Sequence, residues 1–436
     1  MVRVQSPGEA VLSGPARETG AAGAEQAPDG EAATGPRPLL LLFADTGGGH
    51  RASASAVRAA VATRHGGRYR GVLVRPFEEL SPRFVGRAVH LYAPVVRRAP
   101  WAWGLAWHLT DSRPAVRMLR GGFLRLAEPG LTAEVARLRP AAVVSFHPLL
   151  NDAAVRAVRA LPGGAVPVVT VVTDLVDLHA SWMCAEVAAV VAATPGAYDR
   201  CLRAGVPVDR CHELGLAVDA AFSSAPDGAA ERGRARAALG LDPGRFTVLV
   251  LGGGEGSGGI EQRVRALTRA GLDISVVAIC GRNAALAERL GRLDPHPPAG
   301  LRVLGFVDNM AEWLRAADVA VSKAGPAAIA EAAATRTPLV LTSYVPGQEP
   351  GNVGLVERAG TGRWMPGIGG LVDTIRDLAA PGSADLARMR AALGRGSAAD
   401  LPRAADRIAD LVCTLADGAA GAWTAAPAAR GPSRAP

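Results

Sequence analysis

In the stretch LLLLFADTGGGHRASA, His50 directly follows a glycine triplet, Gly47-Gly48-Gly49. Imidazole is the side chain best suited to exchange a proton near neutral pH. In the first turn of a helix, the partial positive charge of the amino terminus disfavours imidazolium and leaves the neutral form that a general base needs. His50 therefore reads as a base, or as a structural histidine after a tight turn. Gly48 and Gly49 let the backbone approach an oxygen-rich ligand closely. The spacing is neither G-x-G-x-x-G nor a Walker loop, because no Gly-Lys-Ser/Thr follows.

The second half of the chain repeats this logic in VLVLGGGEGSGG. Gly252, Gly253 and Gly254 follow an uncharged run, and Gly258-Gly259 open a helical one. The stretch is a turn facing the same cleft as the first, or an ordinary tight turn. VSKAGPAAIAEAAA holds Lys323, the one lysine among 48 basic residues. A compact ammonium does not replace the arginine fork, so the exception marks a tight site or is chance. Ser322, Lys323, Ala324 and Gly325 fall just past a predicted strand, and Pro326 suits a first helical position. Glu331 on that helix is placed to accept both hydroxyls of a ribose, or is a solvated carboxylate. SYVPGQEPGNVG reads as a loop displaying Gln348, Glu349 and Asn352, groups that suit sugar hydroxyls or a plain polar turn.

VVSFHPLLND and VTDLVDLHASW end two further strands and supply His147, Asn151, Asp174, His179 and Trp182. These come from separate strands without compact ligand spacing, which argues against a metal site. No D-x-D triplet occurs, arguing against a transferase that holds its nucleotide through a divalent cation, and no G-x-S-x-G supports a hydrolase triad.

The elements that position these groups follow from patterning. Val- and Leu-rich runs of strand length alternate with helix-period segments, the mark of parallel sheets covered by helices on both faces. Strands are predicted at 39–44, 71–74, 141–146, 168–173 and 188–192, then at 247–251, 274–279, 302–304, 319–321 and 338–341. At 436 residues two domains are expected. We place one at 38–222 and the other at 223–383, with a linker near Ser223 to Gly228. Closing helices follow at 384–415, the last turns packing back onto the first domain. Residues 1–37 and 416–436, rich in Ala, Gly, Pro and Ser, read as disordered tails. Two such domains put ligands in the crevice beyond the carboxyl ends of their strands, where the motifs fall.

The net charge of +8 is unevenly spread. Between Arg75 and Arg125, nine arginines face Glu78, Glu79 and Asp111, an excess of 9 − 3 = +6. The same window holds Trp101, Trp103 and Trp107. Pro100 suits the start of a helix on which Trp103 and Trp107 share a face at i and i+4. This basic aromatic segment suits an anionic membrane surface, a nucleic acid, or a core helix with a wet face. No apolar core of signal-peptide length precedes Leu39, and no uncharged run reaches bilayer-spanning length. The five cysteines have no C-x-x-C spacing and read as buried reduced thiols.

Taken in order, DTGGGHRASA, SFHPLLN, TDLVDLHASW, LGGGEGSGG, GFVDNMAEWLRAADVAVSKAGPAAIAEA and PGQEPGNVGLV resemble the monogalactosyldiacylglycerol synthase family and its processive diacylglycerol glucosyltransferase relatives. They are also similar to the N-acetylglucosaminyltransferase that forms lipid II. The resemblance covers roughly Leu39 to Leu415. It implies a GT-B fold, two Rossmann-like α/β domains facing a central cleft, and an inverting, metal-independent transfer of a hexose from a UDP-sugar to a lipid hydroxyl such as that of diacylglycerol. By motif position, His50 matches the base and Glu331 the glutamate that holds the donor ribose. Gln348, Glu349 and Asn352 match the loop contacting the donor sugar and phosphates, and Phe306 the residue whose backbone meets the uracil. The tryptophan-rich segment matches the place where relatives touch bilayer and acceptor.

The expected protein is thus a cytoplasmic enzyme peripheral on the inner face of the cell membrane. It would use a UDP-sugar as co-substrate, with no cofactor, no metal and no nucleic-acid partner. His147 and Asp174 are expected beside the acceptor. A UDP-sugar 2-epimerase of the same architecture, a transferase to a non-lipid small molecule, and an idle nucleotide-sugar-binding protein are the alternatives.

Overall fold

The computed structural model describes residues 35–46, 48–162, 166–223, 228–254, 256, 258–395 and 403–419. Gly47, most of the linker segment and most of both tails lie outside the described residues.

Among the described residues, twelve strands form two six-stranded parallel sheets. The first contains β1 (Arg37–Leu42), β2 (Tyr69–Val74), β3 (Ala142–Ser145), β4 (Val168–Val171), β5 (Ala189–Ala192) and β6 (Cys211–Glu213), in the order β2-β1-β3-β4-β5-β6. The second contains β7 (Phe246–Leu251), β8 (Ile274–Ile279), β9 (Gly300–Leu304), β10 (Val319–Lys323), β11 (Leu339–Ser343) and β12 (Gly362–Trp364), ordered β12-β11-β10-β7-β8-β9. The winding direction reverses between β1 and β3 in one sheet and between β7 and β10 in the other. Such switch points open a crevice at the strands' carboxyl ends. His50 follows β1, His147 follows β3, the second glycine stretch follows β7, and Lys323 ends β10.

Leu39, Leu40, Leu41 and Leu42 are all fully buried. Leu40 and Leu42 join a cluster on one face with Leu131 and Leu150, while Leu39 and Leu41 join Val57 and Val61 on the other. Burial on both faces is why β1 reads as an unbroken apolar run. Each such leucine contributes roughly 1.5–3 kcal/mol.

The helix Ala404–Gly418 lies against the helix Gly49–His65 rather than on the second sheet. Ile408, Val412 and Cys413 enter the cluster holding Leu39 and Leu41. Arg64 pairs with Asp410 at 2.8 Å, and the Tyr69 hydroxyl donates to Asp417 at 2.6 Å. Residues 416–418, expected in the carboxyl-terminal tail, instead continue this helix, because its ion pairs run on to Asp417.

Strand windows shift where burial and ladder pairing part company. Phe43 and Ala44 are buried but lie beyond β1, so the predicted strand sits two residues late. Three-residue β6 and β12 carry too little pattern to be read from the sequence. Ser322 and Lys323 lie within β10, not past it, because the ladder with β11 continues through a bulge at that point. All five cysteines are buried free thiols.

Candidate active site

Gly48 caps the helix Gly49–His65 in the left-handed conformation, φ 87°. That turn brings His50 under the end of β3, 8% exposed. Its Nδ1 lies 2.8 Å from the Thr173 hydroxyl, just past β4. Its ring stands edge-on to His147, with centroids 4.8 Å apart. Burial pushes the His50 pKa down to about 4, only partly offset by a hydrogen bond to the Phe146 carbonyl. His147 is held well below the usual imidazole value, by burial first and then by His50. The pair is neutral at pH 7.

Beside them, Asp174 is buried, and burial pushes its pKa up to about 6. The Trp182 indole donates to its Oδ2 at 2.6 Å. The amide of Gln348, from the second half of the chain, donates to Oδ1 at 3.4 Å and accepts from the Tyr92 hydroxyl at 3.2 Å.

These groups border a cavity of about 460 Å³ lined mostly by apolar side chains, including Phe77, Tyr92, Trp103 and Trp107 together with His50 and His147. The helix Pro100–Thr110 presents Trp103 and Trp107 to it. Trp101, expected with them, does not line it and is 72% exposed on the outer side. The two halves meet at this wall. A Cβ on Gly347, φ 81°, would lie 2.7 Å from the Trp107 ring, and one on Gly104 would lie 2.8 Å from Pro346.

On the other side of the cleft, Gly254 packs against Arg282, whose guanidinium lies 5.3 Å above the Phe306 ring. Phe306 itself is 63% exposed. Lys323 Nζ pairs with Glu349 Oε1, and Glu349 Oε2 accepts the Val345 N–H at 2.8 Å. The Oγ atoms of Ser322 and Ser343 are buried and have no hydrogen-bond partner among the described residues. Glu331 is half-buried on the helix Pro326–Ala334, and burial pushes its pKa up to about 7.

Several expected placements change. Glu349 and Asn352 are not displayed on a loop. Glu349 is buried in its ion pair, and Asn352 is fully buried in the helix Pro350–Arg358, donating to the Ala324 carbonyl at 2.9 Å. Proline at the first helical position starts that helix at Pro350, inside the stretch read as a loop. Gln348, grouped in the sequence with the donor loop, lines the cavity beside His50. No sequence signal gives Thr173 a role beyond its position beside Asp174 at the strand end.

The comparisons with known proteins agree in both halves. Residues 50–218 match the family Monogalactosyldiacylglycerol (MGDG) synthase, and residues 247–400 match the Glycosyltransferase family 28 C-terminal domain. Monogalactosyldiacylglycerol synthase 1, chloroplastic, of Arabidopsis thaliana is 32% identical over 371 residues, covering 82% of this chain and 68% of the relative. The chain belongs to the monogalactosyldiacylglycerol synthase family. A probable monogalactosyldiacylglycerol synthase, chloroplastic, of Glycine max is 31% identical, covering 81% of this chain and 67% of that protein. Among solved structures, Acinetobacter baumannii MurG superposes with a TM-score of 0.56 at 17% identity, covering 87% of this chain and all of that one. UDP-GlcNAc 2-epimerase from Neisseria meningitidis gives 0.54 at 12% identity, covering 86% and 100%. Both share the GT-B fold of this monogalactosyldiacylglycerol synthase relative, and membership makes the chain a glycosyltransferase.

Proposed function

We propose that the protein transfers a hexose from a UDP-sugar to a lipid hydroxyl, diacylglycerol being the acceptor favoured by the relatives' name, with inversion and without a metal ion. One observation carries this reading: a buried neutral imidazole, His50, lines an apolar cavity one of whose walls, Gln348, belongs to the opposite half. His50 takes the acceptor hydroxyl's proton, and the oxygen attacks the anomeric carbon as its bond to the diphosphate breaks. The electron pair leaves on the diphosphate oxygen. A base of this kind contributes roughly 10²- to 10⁴-fold. The departing charge is met by Lys323, displaced from Glu349, and by backbone N–H groups of the glycine turns. Glu331 accepts the ribose hydroxyls.

An apolar hollow beside the base suits a second, greasy substrate, which an epimerase does not use. Around it, the surface carries exposed Phe84, Leu91, Trp101, Leu105, Leu109 and Met118 among exposed arginines. Among the described residues, no helix is long and apolar enough to cross a membrane. We read this face as the one laid on an anionic bilayer, on the cytoplasmic side.

The test is incubation with single UDP-hexoses and diacylglycerol vesicles, read by mass spectrometry. His50→Ala should keep UDP binding and abolish glycolipid formation. Undiminished turnover in that variant removes the assigned mechanism, and conversion of the donor without lipid favours the epimerase.

A further inference from the structure

We infer that Arg263 is the positioning residue of the donor diphosphate site, pinning the second glycine turn by its carbonyls so that its N–H groups are free for an anion. The inference rests on the UDP-sugar reading above.

Arg263 lies in the first turn of the helix Ile260–Arg269 and is 8% exposed. Burying a guanidinium is costly unless a counter-charge accompanies it. No carboxylate pairs with Arg263 among the described residues. Its Nη1 donates to the carbonyls of Gly258 and, at 2.8 Å, Gly259. Its Nη2 donates to the Thr342 carbonyl at 2.8 Å, and its Nε has no partner among the described residues. Burial holds its pKa below the ordinary guanidinium value. The planar fork thus staples the turn after β7 to the end of β11, a geometry an ammonium cannot reproduce.

The turn is built for that contact. Gly259 has φ 70°, and a Cβ there would lie 2.2 Å from Arg263 Nη1. A Cβ on Gly258 would meet Ser343 Oγ at 3.1 Å and Lys323 Cβ at 3.6 Å. In a trans peptide the C=O and N–H point opposite ways. With the Gly258 and Gly259 carbonyls turned to Arg263, the N–H groups of Gly259 and Ile260 point away from it. Neither N–H has a partner among the described residues. Two free N–H groups and the unpartnered Ser343 hydroxyl therefore meet at one turn as donors without an acceptor, with Lys323, whose ammonium pairs with Glu349, packed beside them. A diphosphate supplies the acceptor oxygens and the charge that Arg263 lacks.

The test compares UDP, which carries the diphosphate, with uridine, which does not, by calorimetry and ligand-observed NMR. Arg263→Met and Arg263→Lys should weaken UDP about tenfold, the scale of one charge-assisted hydrogen bond. Uridine affinity and the KM for diacylglycerol should stay within about twofold of the original protein, and the donor KM should rise. If Arg263→Met does not fold, Arg263→Lys, which keeps the charge, carries the test. An unchanged UDP-to-uridine ratio in a folded variant overturns the inference. An original protein that binds UDP no better than uridine overturns the donor reading itself.

Discussion

With its pKa near 4, His50 is already in the basic form across the neutral range, so its own titration does not shape activity there. At the site, burial brings Glu331 to about 7 and Asp174 to about 6, within that range. The proposed ribose contact needs the Glu331 carboxylate. Donor kcat/KM should therefore fall as pH drops through about 7, and Glu331→Gln should lose that limb along with much of its activity. A single limb near pH 4 in the original protein would count against this role for Glu331. Asp174 tests the same physics through stability. Its folded pKa is raised from 3.8 to about 6, so its contribution is fully present below 3.8 and is lost as pH rises through 6. Asp174→Asn should gain stability relative to the original protein between pH 4 and pH 8, by up to about 3 kcal/mol. A Tm difference that does not change with pH would refute it. His50, His147 and Asp174 were legible in the sequence because each follows an uncharged run, where parallel sheets put their ligands. Thr173 was not, and Gln348 was legible as a polar loop residue but not as a neighbour of Asp174, since such contacts depend on how two loops distant in sequence approach each other.

At the level of elements, the helix Pro100–Thr110 has two jobs, split between its faces. Trp103 and Trp107 line the cavity, while Trp101, Leu105 and Leu109 stand outside it. Replacing those three outer residues with serine should cut co-sedimentation with anionic vesicles while leaving UDP affinity unchanged. Retained vesicle binding would reassign the face. The i, i+4 tryptophan spacing showed the shared face, but not which side of the helix met the cavity. The turn at Gly347 makes a sharper demand. Its positive φ and its contact with Trp107 exclude a side chain. Gly347→Ala should cost roughly 1–3 kcal/mol through backbone strain and the clash, and should slow transfer more than it weakens UDP binding. Turnover within twofold of the original would show that this contact does not matter. From its sequence, the second glycine stretch reads as a turn facing the cleft or as an ordinary tight turn. Nothing in its local pattern marked Arg263 as its clamp, because a lone arginine on a polar helix reads as solvated.

For the whole molecule, the last described helix completes the first sheet's core instead of extending the second. Ile408 is fully buried against it. Ile408→Asp should destabilise the fold by more than about 3 kcal/mol, an unpaired charge in an apolar layer. A Tm within a few degrees of the original would mean that this helix is dispensable. The two-sheet plan was readable from the alternation of apolar runs with helix-period segments. The return of the chain's end to its beginning was anticipated only in outline, because the partner of an amphipathic helix is not written in its own periodicity. That return ties the halves together twice, and the wall that Gln348 lends to the hollow beside His50 has a kinetic consequence. On the proposed function, swinging the lobes apart to admit a nucleotide would also unroof the hollow beside His50. On that reading, acceptor residence and nucleotide exchange share one motion of the lobes, and a variant that slows it should lengthen both dwell times together.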